Sequence, residues 1–114
     1  MSGCLNRGAV LAIADSLTGL AENAGIGAGE VERLIGIRCG VWPMTDATRA
    51  LWWPTVEQAD RLDALHGLLV GLVATMGGRE SKRWLRSRNV GLGMTPMRFM
   101  LSRLDGPAVL GKQI

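Results

Sequence analysis

Thr55-Val56-Glu57-Gln58 constrains the fold of this chain more than any other stretch. Thr followed three residues later by Gln forms a capping box, each side chain accepting from the other residue's backbone N–H at a helix start. Behind it Val56, Ala59, Leu62, Leu65, Leu69, Leu72, Val73 and Met76 recur at the three- and four-residue spacing of one helix face. Glu57, Asp60, Arg61 and Asp63 keep to the other side. The spacing predicts a long central helix to about Met76, ended by Gly77-Gly78. Burying one leucine contributes roughly 1.5–3 kcal/mol, so this helix should supply most of the core. Gly67 and Gly71 each cost about 1 kcal/mol against Ala inside a helix. Their i, i+4 spacing leaves a flat strip for another helix, from this chain or a second copy, and a homodimer is expected.

The rest reads as shorter helices on that rod. Val10, Leu11, Ala14, Leu17 and Ala21 trace an apolar stripe across about Gly8 to Glu22, closed by Asn23-Ala24-Gly25. A second helix is expected from Ala28 to Ile35, with Glu30 and Glu32 near its positive end and Val31, Leu34 and Ile35 inward. Gly36 supplies the turn. Thr45 or Asp46 caps a short helix through Leu51, leaving Arg49 outward. Pro54 drives Trp53 out of helical geometry, so the chain turns at Trp52-Trp53. Adjacent tryptophans cannot share a helix face, and at least one should pack between lobes or onto a partner.

Beyond Gly78, Trp84 and Leu85 give a basic amphipathic helix its apolar side. A glycine-punctuated loop follows, and Thr95-Pro96 launches another helix with Met97, Met100, Leu101 and Leu104 on one face. Asp105-Gly106-Pro107 is expected to stop regular structure and leave Ala108 to Ile114 as a tail. The fold class is therefore all-α, a small helical bundle.

Composition excludes several alternatives. With 47% apolar and 20% charged residues the chain is globular rather than disordered. The longest apolar run, Ala64 to Met76, is interrupted and too short to span a bilayer, and no signal peptide is evident, so no membrane association and a cytoplasmic location are expected. Cys4 and Cys39 read as thiols and, with His66, offer no metal-ligand spacing. His66 lies mid-helix with no Asp or Asn placed to orient its ring, which suits a polar group at the edge of a core. Gly91-Leu92-Gly93 lacks the preceding strand of a nucleotide-binding turn. A non-enzymatic protein without metal or cofactor is expected.

Charge is unevenly distributed. Residues 79–104 carry seven basic side chains against Glu80 alone, whereas residues 1–78 carry five basic and eight acidic ones. Such a cluster creates a local positive field for an acidic protein surface or a phosphate backbone. A solvated arginine-rich helix face is the plainer reading.

Within that basic segment Trp84-Leu85, Arg86, Asn89, Leu92-Gly93 and Thr95-Pro96, ahead of an apolar helix, resemble the toxin-binding domain of Xre/MbcA/ParS-type antitoxins. The family run is roughly W-L-x-x-x-N-P-x-L-G-x-x-x-P. Val90 stands where its Pro is expected, and the spacing after Gly93 is about one residue tighter. The resemblance covers about Thr55 to Leu104. Ala24-Gly25-Ile26, Glu30-Val31 and Leu34-Ile35-Gly36-Ile37 likewise resemble the first helices of an Xre-like helix-turn-helix, over about Leu17 to Trp42. There Gly40 and Pro43 cut short the recognition helix expected from Arg38, and Trp42 is better suited to the core than to a base.

The resemblance divides the chain into a degenerate helix-turn-helix lobe, 1–54, and a toxin-binding domain, 55–114. It implies the antitoxin of a type II toxin–antitoxin pair. Such a protein neutralises a cognate RES-like toxin, of a kind that uses NAD, by covering its active site, and it often represses its own operon. The implied toxin-binding residues are Arg86, Arg88, Asn89, Leu92, Thr95 and Arg103, with Lys112 in the tail; the implied DNA-binding residues are Arg38, Thr45 and Arg49. Trp84, Leu92 and Met97 suit a structural role. Arg86, Arg88 and Arg103 suit direct contact, because a guanidinium engages acidic groups through paired hydrogen bonds. A stand-alone helix-turn-helix regulator binding operator DNA and an adaptor for another protein are the alternatives.

Overall fold

Helix starts in this chain are set by side chains that accept the donors a helix leaves over. Asn6 accepts from the Ala9 N–H at 2.7 Å, Thr45 from Thr48 at 3.3 Å, Thr55 from Gln58 at 3.0 Å and Thr95 from Arg98 at 3.2 Å. The capping box at Thr55 is complete, since the Gln58 side chain accepts from the Thr55 N–H at 3.0 Å. The computed structural model describes residues 6–103 and 106–113, the last two in backbone alone. Cys4, Leu104, Asp105 and the side chain of Lys112 lie outside the described residues.

These four caps open α1 (Arg7–Asn23), α3 (Asp46–Leu51), α4 (Val56–Arg86) and α5 (Pro96–Leu101); α2 (Ala28–Ile35) and α6 (Gly106–Gln113) complete the described helices, with no strand among the described residues. The architecture is the expected all-α bundle. α4 is the central element, and α1, α2, α5 and α6 all pack on it. Residues of every one of these helices share a single apolar core: Leu17, Ile35, Leu62, Leu65, Leu69, Leu72, Leu85, Met100 and Leu110 are fully buried. No helix of the described residues is long and apolar enough to cross a membrane.

α4 runs through the glycine pair, but Gly77 breaks it internally with φ 81° and ψ 167°. Only glycine occupies that region without a Cβ clash. The rod is thus two helical pieces joined across a kink at Gly77, and the Ser81 hydroxyl donates to the Gly77 carbonyl at 2.6 Å. The second piece lies against the α1–α2 turn. There Gly25, at φ 70°, lets the stem of Lys82 close onto the backbone, and Gly78 sits against Asn23.

Four expectations need correction. First, residues 106–113 form α6 rather than a tail, and Leu110 is buried against the rest of the core. Pro107 falls in the first helical turn, where a missing N–H breaks no bond. Second, the inward stripe of α4 includes Leu68 and excludes Val56, which is 63% exposed at the helix start. Third, Asp60 is half-buried rather than outward, and its Oδ1 has no partner among the described residues. Fourth, Glu32 is buried: its Oε2 accepts from the Trp42 N–H at 3.0 Å, pinning the chain after α2.

Trp42 is in the core, as expected. Of the tryptophan pair, Trp52 packs against the core and Trp53 is 73% exposed, with the Arg7 guanidinium 4.4 Å from its ring centre. His66 Nε2 pairs with the Ser16 hydroxyl at 3.0 Å, a polar tie between α4 and α1 at the core's edge.

Candidate functional site

The basic segment folds as the second piece of α4, a tight loop and α5. The loop is closed by Asn89, whose backbone N–H donates to the Met94 carbonyl at 3.0 Å and whose side chain accepts from Gly91 at 2.9 Å. Val90, where the antitoxin pattern has Pro, stands at the tip and is 95% exposed. Leu92 and Trp84 are half-buried against the core and Met97 is fully enclosed, so all three hold the helix–loop–helix together. Thr95 is consumed as the cap of α5.

Arg86 is held by three hydrogen bonds. Its Nη1 donates to Glu30 Oε2 at 2.7 Å, its Nη2 to Glu30 Oε1 at 2.6 Å, and Nη2 also reaches the Gly25 carbonyl at 2.8 Å. This is a two-pronged guanidinium–carboxylate pair, the strongest form of that contact. Hydrogen bonding to Arg86 holds the Glu30 carboxyl below its ordinary value, burial works against the shift, and the Gly27 N–H and the charge of Arg33 add to it. The same bond raises the Arg86 guanidinium. The residue expected to reach a partner therefore ties α4 to α2.

Beside this pair an open cleft of about 390 Å³ separates α2 from α5. Arg33, Arg86 and Arg98 line it together with Glu30, Thr95 and Leu101. Arg33 and Arg98 are exposed, and neither is in an ion pair among the described residues. Arg88 is exposed beyond the end of α4, and Arg103 lies 5.3 Å from the Phe99 ring centre. The fold thus brings Arg86 and Thr95 of the implied toxin-binding set to one cleft and leaves Arg88 and Arg103 elsewhere.

The sequence carries no site signal at Arg33 or Arg98, and at Glu30 only that of an acid near a helix start within the helix-turn-helix resemblance. Glu30 and Arg33 share a face of α2 at i, i+3 spacing, but nothing local signals that this face meets a segment more than fifty residues later.

The implied DNA-binding residues are not carried on a recognition helix. A helix-turn-helix joins its two helices through about 3–4 residues, whereas residues 36–45 form an extended connection between α2 and α3, with a cis Trp42-Pro43 bond. No recognition helix runs on from Arg38, which is exposed in that connection. Thr45 caps α3, and Arg49 is paired with Asp15 of α1 while its carbonyl accepts from Arg7. Among the described residues no group of three or more His, Cys, Asp or Glu side chains is placed to hold a metal ion, and Cys39 is an exposed thiol.

By fold and surface the chain is a small helical bundle with one strongly basic helix–loop–helix. Comparison with known proteins finds no matching family model, no matching curated protein and no matching solved structure.

Proposed function

We propose that this protein is a binding module of the antitoxin kind, which neutralises a cognate, RES-like toxin by direct contact and does no chemistry itself. The observation that carries the reading is the basic helix–loop–helix of residues 79–103, folded with an exposed tip and a cleft lined by three guanidiniums. Exposed Arg33 and Arg98 at one opening, beside Arg86 seated on Glu30, favour an acidic protein surface, since a guanidinium grips a carboxylate through two hydrogen bonds. The arrangement of Trp84-Leu85, Asn89, Leu92 and Thr95-Pro96 adds the resemblance to the antitoxin domain. Repression of its own operon in the cytoplasm, as a homodimer, belongs to the same proposal. The operator-reading alternative draws less support, because Thr45 and Arg49 are occupied within the fold.

The test is co-expression with the neighbouring reading frame of toxin size. Growth rescue and a co-purifying complex that survives moderate salt are expected. Absence of both, or a preference for duplex DNA that falls steeply with salt, would refute the reading.

A further inference from the structure

We propose that the cleft between α2 and α5 docks an acidic, partly apolar segment of a protein partner, and that Glu30 occupies the place of one partner carboxylate on Arg86 until that segment arrives. The inference rests on the antitoxin-type reading only for the identity of the partner.

The Glu30–Arg86 contact is itself the pattern for docking: a carboxylate seated on a guanidinium by two hydrogen bonds at 2.6 and 2.7 Å. Arg33 and Arg98 present two further exposed guanidiniums at the same opening, so the cleft offers two positive charges that Glu30 does not neutralise. Enclosed Met97 and half-buried Leu101 are the apolar side chains of its otherwise polar lining. A leucine or phenylalanine between two acidic residues satisfies both features. A phosphate backbone satisfies only the charge. Any incoming anion meets the Glu30 carboxylate as a repulsive neighbour and gains the Arg86 position once Glu30 swings away. Glu30 therefore acts as a competitor built into the fold, weakening capture of segments too weakly acidic to displace it.

A fluorescent synthetic peptide alternating Glu and Leu provides the probe, titrated into the full chain at low salt and followed by anisotropy. Arg98→Glu should weaken binding about tenfold or more, and Arg98→Gln by a smaller factor. Arg38→Glu, the same change of charge outside the cleft, should stay within about twofold. Glu30→Gln should tighten binding several-fold by releasing Arg86. Melting curves of each variant check that the fold is intact.

Equal losses for Arg98→Glu and Arg38→Glu would overturn the proposal, as would equal binding of a peptide with Leu replaced by Ser. Displacement of the peptide by duplex DNA of matched charge at lower concentration would overturn it in favour of nucleic acid. If Arg98→Glu abolishes peptide binding while toxin is still neutralised, the cleft stands and the antitoxin reading of this face fails. If the peptide is ignored while toxin is bound, the cleft proposal alone fails.

Discussion

Breaking the Glu30–Arg86 pair should loosen the basic segment from α2 by a measurable and limited amount. Both side chains are partly solvated, Arg86 at 42% and Glu30 at 26% exposure, so the gain is that of a surface pair rather than a buried one. Exposed pairs typically give about 0.2–1 kcal/mol. Two short hydrogen bonds and the anchoring Gly25 carbonyl place this one at the upper end, about 1 kcal/mol of coupling. In a chain of this length that corresponds to roughly 4 °C in Tm. Thermal unfolding followed by circular dichroism for wild type, Glu30→Gln, Arg86→Met and the double variant isolates the term. Because the folded Glu30 carboxyl titrates below its ordinary value of 4.5, the contribution is complete above about pH 4.5 and is lost as pH falls through the lowered folded value. The wild-type and Glu30→Gln melts should therefore converge in acid. Losses that add to within about 0.3 kcal/mol, or a gap that persists at low pH, would refute the reasoning.

Other perturbations test the packing. Leu110→Ala removes a fully buried side chain of α6 and should cost about 2–5 kcal/mol, read by urea titration; a neutral result would mean that α6 does not dock. Gly106→Ala drives a Cβ into the Met100 backbone and should destabilise by a similar amount, whereas an unchanged midpoint would refute that close approach. At Gly67 and Gly71 an added Cβ meets nothing, so Ala at either should stabilise by about 0.5–1 kcal/mol, seen as a higher Tm; a lower Tm with loss of a dimer would instead make the strip an interface. Leu69→Asp should unfold the chain by placing an unpaired charge in the core, and a normal helical melt would refute its burial.

What could be read from the sequence was local. The capping box at Thr55 and the Thr95 cap ahead of Pro96 place helix starts because their donors and acceptors lie within three residues of each other. Most of the α4 stripe needed only the helical period, but Val56 lies in the first turn, exposed, and Leu68 joins the core instead. The pairing of Arg86 with Glu30 is not legible in the sequence, because tertiary packing alone brings the two together and no periodicity records it. Arg49 was expected to face outward for the same reason, and Asp15 takes it up. Gly106-Pro107 looked like a stop, although proline is as compatible with a helix's first turn as with its end. Leu110 decides between the two by burying itself, a fact that a short segment of mixed polarity does not advertise.

The interruption at Gly77 has a mechanical consequence. In an unbroken rod, the hydrogen-bond ladder of the first piece would dictate where the arginines point. With helical geometry broken at Gly77, their aim depends on packing of the second piece itself, buried Leu85 with Lys82 over Gly25 and Arg86 on Glu30. One residue inserted at that joint should thus be absorbed, while the same insertion between Leu65 and Leu69 would rotate half the core out of register.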